Sequence, residues 1–225
     1  MLRNYGLAEA VKAATKETGI LPAMKLKRES DWLAYAAALH EEGIRVLEIT
    51  MTTPGVIGAI EAISDAYGER LFVAAGTVLD PSSALEVIRH GGSLIVNPCV
   101  IPDVIDVAHR YQVPVYSGAF SPTEVFSAMR AGSAMVKIFP ARLGGPGYMT
   151  NLKMVFPGVD LVPSGGITID TAGDYIKAGA CAVSGARAFI GPLDGEAGNT
   201  ESVATHIRKL LSVISAAKEA RAELP

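Results

Sequence analysis

Apolar residues along this chain fall into short runs separated by polar punctuation, and the runs recur. They begin near Ile20, Ile44, Leu71, Gly92, Val113, Ala134, Asp160 and Ala180. The spacing, roughly 20 to 27 residues, is close to the scale of a βαβ unit. Each run is followed by a turn and then by a segment of helical periodicity. Helix starts are marked by Ser30-Asp31, Thr53-Pro54, Asp80-Pro81, Ile101-Pro102, Ser121-Pro122 and Thr168–Asp170, the capping and first-turn proline signals of a helix N-terminus. Helix ends carry glycine at Gly43, Gly68, Gly91, Gly132 and Gly179. Runs such as Ile20–Met24, Leu71–Ala75 and Leu94–Val96 are apolar throughout rather than alternating, as strands buried on both faces are.

Eight such runs alternating with helices predict an α/β fold with a parallel sheet, and eight strands close into a (β/α)8 TIM barrel. Two amphipathic helices lie outside the repeat. One over 4–17 is expected to plug an end of the barrel, and one over 200–222 to complete the outer ring. No shift in composition breaks the series, so a single domain over 1–225 is expected: an N-terminal helix (1–18), barrel strands and loops (19–192) and a final outer helix (199–222). An open doubly wound sheet would call for a glycine-rich dinucleotide turn after the first strand, and Lys25–Ser30 holds no glycine.

Forty-nine per cent of the 225 residues are hydrophobic and 19% are charged, with a mean hydropathy of +0.30. No stretch approaches the ~20 uninterrupted apolar residues of a spanning helix, so the excess apolarity belongs to buried strands and no membrane partner is expected. A net charge of −3 and a pI near 5.8 leave no basic footprint for nucleic acid. The start, Met1–Ala14, lacks the apolar core of a signal peptide. Cys99 and Cys181 lie far apart in apolar segments and read as reduced core thiols, which suits a cytoplasmic location.

Function in this fold collects at the carboxyl ends of the strands. Two charges stand in segments that are otherwise apolar: Glu48 in Val-Leu-Glu-Ile-Thr-Met and Lys137 in Ala-Met-Val-Lys-Ile-Phe-Pro. An ionised side chain in a core must be paired, neutralised or near water. One reading is a buried ion pair or a snorkelling side chain. The other is chemical: a desolvated lysine holds its amine available to attack a ketone and form a Schiff base, and a carboxylate in the same mouth moves protons. Lys25, near the end of the first strand, is the nearest competitor to Lys137.

A second signal lies in the last third. Val-Pro-Ser-Gly-Gly-Ile (162–167) closes the seventh run and Ser-Gly-Ala-Arg (184–187) the eighth. Glycines there free backbone N–H groups for an anion, a short helix after the eighth strand can aim its N-terminus at it, and these two loops are the common phosphate site of the fold. His40, His90, His109 and His206 fall in predicted helices and read as outer-surface residues. No HExxH, CxxC or Walker pattern occurs, so neither a metal nor a nucleotide cofactor is expected.

Taken in order, Val-Leu-Glu-Ile-Thr (46–50), Ala-Gly-Thr-Val-Leu (75–79), Asn-Pro-Cys (97–99), Val-Lys-Ile-Phe-Pro-Ala (136–141) and Pro-Ser-Gly-Gly-Ile (163–167) resemble the class I 2-keto-3-deoxy-6-phosphogluconate (KDPG) and 4-hydroxy-2-oxoglutarate (KHG) aldolases. The resemblance runs from Gly19 to Pro192. It implies a metal-independent homotrimeric barrel that releases pyruvate from a small 2-keto acid. By position it makes Lys137 the Schiff-base lysine and Glu48 the general acid/base. Thr77 then contacts the pyruvate half, Pro98 and Phe139 wall the pocket, and Ser164, Gly165 and Gly166 face the distal, often phosphorylated, end. Four places depart from the family pattern, the first being the end of the first strand, which reads Met-Lys-Leu (24–26) where Leu-Arg-Gly-like sequence is common and leaves Lys25 as a possible cation. Thr52 stands where many members have a carboxylate-binding arginine and some have threonine. Arg142 stands where a glutamate is common, and Ser184, Ala186 and Arg187 replace a Gly-x-Gly-Ser ending. Arg187 is accordingly expected to take the distal anion. These departures touch substrate identity, so that an unphosphorylated or dicarboxylic 2-keto acid stands as the alternative to KDPG and a non-catalytic sugar-phosphate-binding barrel as the alternative of another class; the chemistry at Lys137 and Glu48, which counts against the latter, is intact.

Overall fold

The computed structural model describes residues 6–24, 31–191 and 200–222. Eight parallel strands follow one another around the sheet in the order β7-β6-β5-β4-β3-β2-β1-β8. They are β1 (Ile20–Met24), β2 (Val46–Thr50), β3 (Phe72–Gly76), β4 (Leu94–Val96), β5 (Val115–Ala119), β6 (Met135–Ile138), β7 (Leu161–Pro163) and β8 (Val183–Gly185). A bridge between Ser164 and Ser184 joins the two ends of that order, and the Cys181 amide donates to the Leu161 carbonyl below it, so the sheet closes on itself. The fold is thus the (β/α)8 barrel expected from eight repeats.

Strand alternation sorts the apolar residues into two cores. Leu21, Val46, Phe72, Ala74, Leu94, Val96, Tyr116, Met135 and Val162 point into the barrel. Their neighbours Ile20, Leu47, Val73, Ile95, Val115, Val136, Leu161 and Val183 point outward against the helices. Both faces are therefore buried, which explains continuous apolar runs in place of period-two patterning. The outer ring is α2 (Trp32–Glu41), α3 (Val56–Tyr67), α4 (Pro81–Arg89), α5 (Pro102–Arg110), α6 (Pro122–Arg130), α7 (Gly145–Val155) and α8 (Ile169–Lys177), with α10 (Thr200–Ala222) packed between α8 and α2. A four-residue helix, α9 (Arg187–Ile190), follows β8.

Most of the punctuation acts as expected. Asp80 caps α4 by accepting from the Ser83 amide, and Ser121 and Glu124 form a capping box on α6. Thr53-Pro54 does not start a helix: α3 begins at Val56 behind Gly55, whose φ of 68° is left-handed, and the buried Thr53 hydroxyl turns to Thr50 instead. Cys99 is exposed rather than part of the core, because it follows Pro98 in the loop at the barrel rim. Cys181 does sit low in the barrel wall, where burial pushes its thiol up to about 12. Among the described residues, no helix is long and apolar enough to cross a membrane.

The N-terminal helix α1 (Leu7–Thr18) plugs the barrel floor. Val11 and Ala14 join the inner core, and Thr15 Oγ1 lies 2.9 Å from the Tyr116 hydroxyl, whose acidity burial suppresses. At the rim of this plug, Asp160 meets Lys12 at 3.1 Å and Lys16 at 2.7 Å. Burial raises the Asp160 carboxyl, but hydrogen bonds and charge from Lys16 and Lys12 outweigh it and hold the group below 3.8. A lowered carboxyl contributes stability that is complete above its unfolded value and is lost as pH falls through its folded value. Asp160→Asn is therefore expected to cost about 1 kcal/mol at neutral pH, with the gap closing in acid. Urea unfolding of both proteins, at neutral pH and below the carboxyl's lowered range, measures this; an equal gap at both would show that charge is not the cause.

Candidate active site

Period-two alternation places the chemistry. Val46 and Met135 point into the barrel, so the next inward positions toward the carboxyl ends are Glu48 on β2 and Lys137 on β6. They are the only charged side chains among the buried described residues, with Glu48 2% and Lys137 9% exposed. Lys137 Nζ lies 3.6 Å from Glu48 Oε2, and that oxygen has no hydrogen-bond partner among the described residues. A pair at this distance attracts by about 4 kcal/mol at an effective dielectric constant near 20. The amine is thus held toward a carboxylate oxygen that has a free hydrogen-bond acceptor position among the described residues.

Two glycines make the room. Gly118 is the register partner of Lys137 across β5 and β6, and a side chain there would run into the Pro98 backbone, so its absence lets the loop after β4 fold over the barrel mouth. Gly76, at the end of β3, abuts Glu48: a Cβ there would overlap the carboxylate. Beyond Gly76 the chain enters a left-handed residue at Thr77 (φ 61°), a conformation costly for a β-branched side chain and characteristic of functional loops. The next residue is tied down, since the buried Asn97 side-chain amide donates to the Val78 carbonyl. Gly76 and Asn97 lie inside the family-like motifs, but no sequence signal gave either a role.

Most of the other expected residues among those described lie around the same rim. Half-exposed Phe139 follows β6, with Lys137 Nζ 6.0 Å from its ring centroid. Gly165 packs against that ring, where an added Cβ would come within 2.9 Å. Ser164 and Ser184 are buried and bridged, and the Ser184 hydroxyl has no hydrogen-bond partner among the described residues. Thr52 stands apart: exposed after β2, its hydroxyl bonds Thr50 at 2.9 Å rather than Lys137 or Glu48. Arg187 is exposed at the start of α9, whose four residues are too few to add a useful helix dipole. Lys25 lies outside the described residues.

Arg142, noted in the sequence only as a departure, lies against the Gly165-Gly166 turn. Its amide donates to the Gly165 carbonyl at 3.1 Å, and its stem crosses Gly166 so closely that a Cβ would meet its Cδ at 2.5 Å. No spacing pattern links residues 142 and 166; the signal was the bare Gly-Gly, which admits a neighbour as well as a ligand. Among the described residues, no group of three or more His, Cys, Asp or Glu is placed to hold a metal ion.

The sequence model of the KDPG and KHG aldolase family matches residues 11–204. The 2-dehydro-3-deoxy-6-phosphogalactonate aldolase of Escherichia coli K12 is 38% identical over 154 residues, 68% of this chain and 75% of that protein. The 2-dehydro-3-deoxy-phosphogluconate aldolase of Pseudomonas aeruginosa is 34% identical over 162 residues, 72% of this chain and 73% of that protein. Among solved structures, the KDPG aldolase of Legionella pneumophila, with pyruvate captured as a covalent carbinolamine, superposes with a TM-score of 0.76 at 26% identity, covering 89% of this chain and 96% of that one. This chain belongs to the KDPG and KHG aldolase family, the aldehyde-lyases that work through a Schiff base and need no metal.

Proposed function

We propose that the protein cleaves a 2-keto-3-deoxy-6-phospho sugar acid to pyruvate and a phosphorylated aldehyde, with Lys137 as the Schiff-base lysine and Glu48 as the general acid/base. The observation that supports these roles most directly is the 3.6 Å approach of the one buried amine to the one buried carboxylate among the described residues. The neutral Lys137 amine adds to the C2 carbonyl, giving a carbinolamine that loses water to form the iminium. Glu48, directly or through water, takes the C4 hydroxyl proton. The C3–C4 bond then breaks, its electron pair flowing into the iminium to leave an enamine, while C4 departs as the aldehyde. The enamine takes a proton at C3, and water returns pyruvate and the free amine. Because the iminium is the electron sink, catalysis depends on placing two side chains rather than on a resident cofactor.

Thr77 and, more loosely, Thr52 and Lys25 are assigned to the carboxylate of the pyruvate half, and Pro98 and Phe139 to the pocket walls. Ser164, Gly165, Gly166, Ser184 and Arg187 are assigned to the distal end. KDPG itself, yielding glyceraldehyde 3-phosphate, is the first substrate reading. The Escherichia coli relative acts, by its name, on the galactonate isomer, which makes that compound the natural comparison. An unphosphorylated or dicarboxylic acid such as 4-hydroxy-2-oxoglutarate is the second reading, favoured by the altered loop after β8, where Ser184, Ala186 and Arg187 take the positions of a Gly-x-Gly-Ser ending. A homotrimer in a reducing cytoplasm completes the proposal. It is supported by the resemblance, by exposed Phe126 and Met129 on α6, and by two free cysteines.

Cleavage rates over a panel decide the substrate: the two 6-phosphohexonates, the unphosphorylated acid and 4-hydroxy-2-oxoglutarate. The phosphorylated acids are expected to show kcat/KM at least about tenfold above the others, the value of one charge-assisted contact set. Equal or better turnover of 4-hydroxy-2-oxoglutarate would transfer the assignment to the second reading.

A further inference from the structure

At the opposite end of the barrel from Lys137, an open cleft of about 550 Å³ is lined by Lys16, Lys153, Asp160, Gly179, Cys181, Lys218 and Arg221. Every one of these residues stands near a helix end or a strand start: the C-terminal parts of α1, α7 and α10, and the approaches to β7 and β8. The mouth that holds Glu48 lies at the other ends of the same strands. Four cations thus face one carboxylate, and that carboxylate is already held by Lys12 and Lys16. Among the described residues, Lys153, Lys218 and Arg221 form no salt bridge.

These three cations are fixed in place rather than waving in solvent. Lys153 Nζ donates to the Pro157 and Val159 carbonyls at 2.7 and 2.8 Å, and Lys218 Nζ to those of Lys16 and Glu17 at 2.9 and 2.8 Å. Arg221 Nη1 donates to the Ile176 and Ala180 carbonyls at 3.1 and 2.9 Å. An ammonium has three donors and a guanidinium five, so each lysine keeps one N–H, and Arg221 keeps the Nε and Nη2 edge. Two glycines let the lysine stems pass: a Cβ on Gly179 would meet Lys153 Cγ at 2.9 Å, and one on Gly19 would meet Lys218 Cε at 3.0 Å.

Carbonyl capping accounts for one contact per helix end. It does not account for three capping cations from α7 and α10 converging on a common cleft with donors left over. Burial, and then the charge of Arg221, depress the Lys218 ammonium, so the cations work against each other as they stand. The exposed Glu17 carboxylate acts on Lys218 from outside the cleft lining and offsets this in part.

We infer that this cleft on the amino-terminal face of the barrel is a second anion site, separate from the catalytic mouth, built for a small polyanion of the diphosphate class. Lys153, Lys218 and Arg221 supply the donors, and Asp160, neutralised by Lys12 and Lys16, sets the rim. A dianion or trianion matches the unpaired charge; a single carboxylate would leave two cations unrelieved. The ligand is either inorganic or the diphosphate moiety of an organic molecule.

Calorimetric titration with inorganic pyrophosphate and, separately, with ADP at constant ionic strength tests this. Tighter binding of ADP identifies an organic ligand, and equal or weaker binding an inorganic one. Arg221→Gln and Lys218→Gln are each expected to weaken pyrophosphate about tenfold. Asp160→Asn is expected to tighten it, because it removes the only negative charge from the lining while leaving all three donor groups. KM for the phosphorylated aldol substrate stays unchanged in all three variants. If a variant fails to fold, Lys153→Gln, on a half-exposed side chain, carries the same expectation. Wild-type affinity in the glutamine variants, absence of binding to the native protein, or an affinity that falls only when the Ser164–Gly166 loop is altered would each overturn the assignment.

Discussion

Replacing Lys137 with arginine is expected to leave a folded protein that forms no borohydride-stable pyruvate adduct and whose aldol cleavage has fallen by at least about 10⁴-fold. Arginine is the informative choice because of Glu48. Removing one member of a buried ion pair strands the other, at a cost of about 3–5 kcal/mol, so Lys137→Met would confuse lost chemistry with lost stability. A guanidinium keeps the positive charge that Glu48, 2% exposed, depends on, yet it does not deprotonate in proteins and cannot add to a ketone. Mass mapping after pyruvate and borohydride should place the reduced adduct, pyruvate less water plus two hydrogens, on residue 137 of the native chain and nowhere in the variant. An adduct on Lys25, or on any lysine of the Lys137→Arg variant, would remove Lys137 from the mechanism.

Lys137 and Glu48 were legible in the sequence because each breaks an apolar strand, and a charge in such a place needs a reason on any reading. Eight strands were legible because the barrel buries both sheet faces, so every strand announces itself as an apolar run. What escaped depends on neighbours that only the closed sheet creates. Gly76 matters because β3 lies beside β2 in a register that sets Glu48 against Ala74 and brings the following strand end onto the carboxylate. Arg142 matters because β6 and β7 are adjacent and their loops cross. Thr53-Pro54 carries a helix-start signal, but in a hydroxyl cluster with Thr50 the Thr53 side chain is already engaged. The cationic cleft was the least visible. Lys16, Lys153, Lys218 and Arg221 come from three helices, and each alone reads as a favourable charge at a helix end.

The second large effect follows from that glycine. Gly76→Ala puts a methyl group where the Glu48 carboxylate lies, and neither strand can yield, since Gly76 is in register with Thr50 on one side and Val96 on the other. Overpacking of this kind costs about 1–3 kcal/mol of stability, which a barrel with so large a core is expected to survive. The carboxylate moves instead. A misplacement of about 1 Å in a catalytic group can cost about 10²-fold, so kcat should fall by about that factor. Pyruvate should still be trapped on Lys137, because forming the first adduct needs the amine and not the displaced carboxylate. Glu48→Gln should cost about 10²–10⁴-fold in kcat, and adding Gly76→Ala to it should cost little more, since both changes act through the same group. Gly76→Ala with Glu48→Asp makes the sharper test: the shorter acid vacates the space the methyl needs, so the pair should be more active than the product of the single effects. Strictly multiplicative losses across this cycle would mean that Gly76 shapes the barrel without positioning Glu48, and a Gly76→Ala enzyme with native kcat would show that the placement of Glu48 does not depend on Gly76.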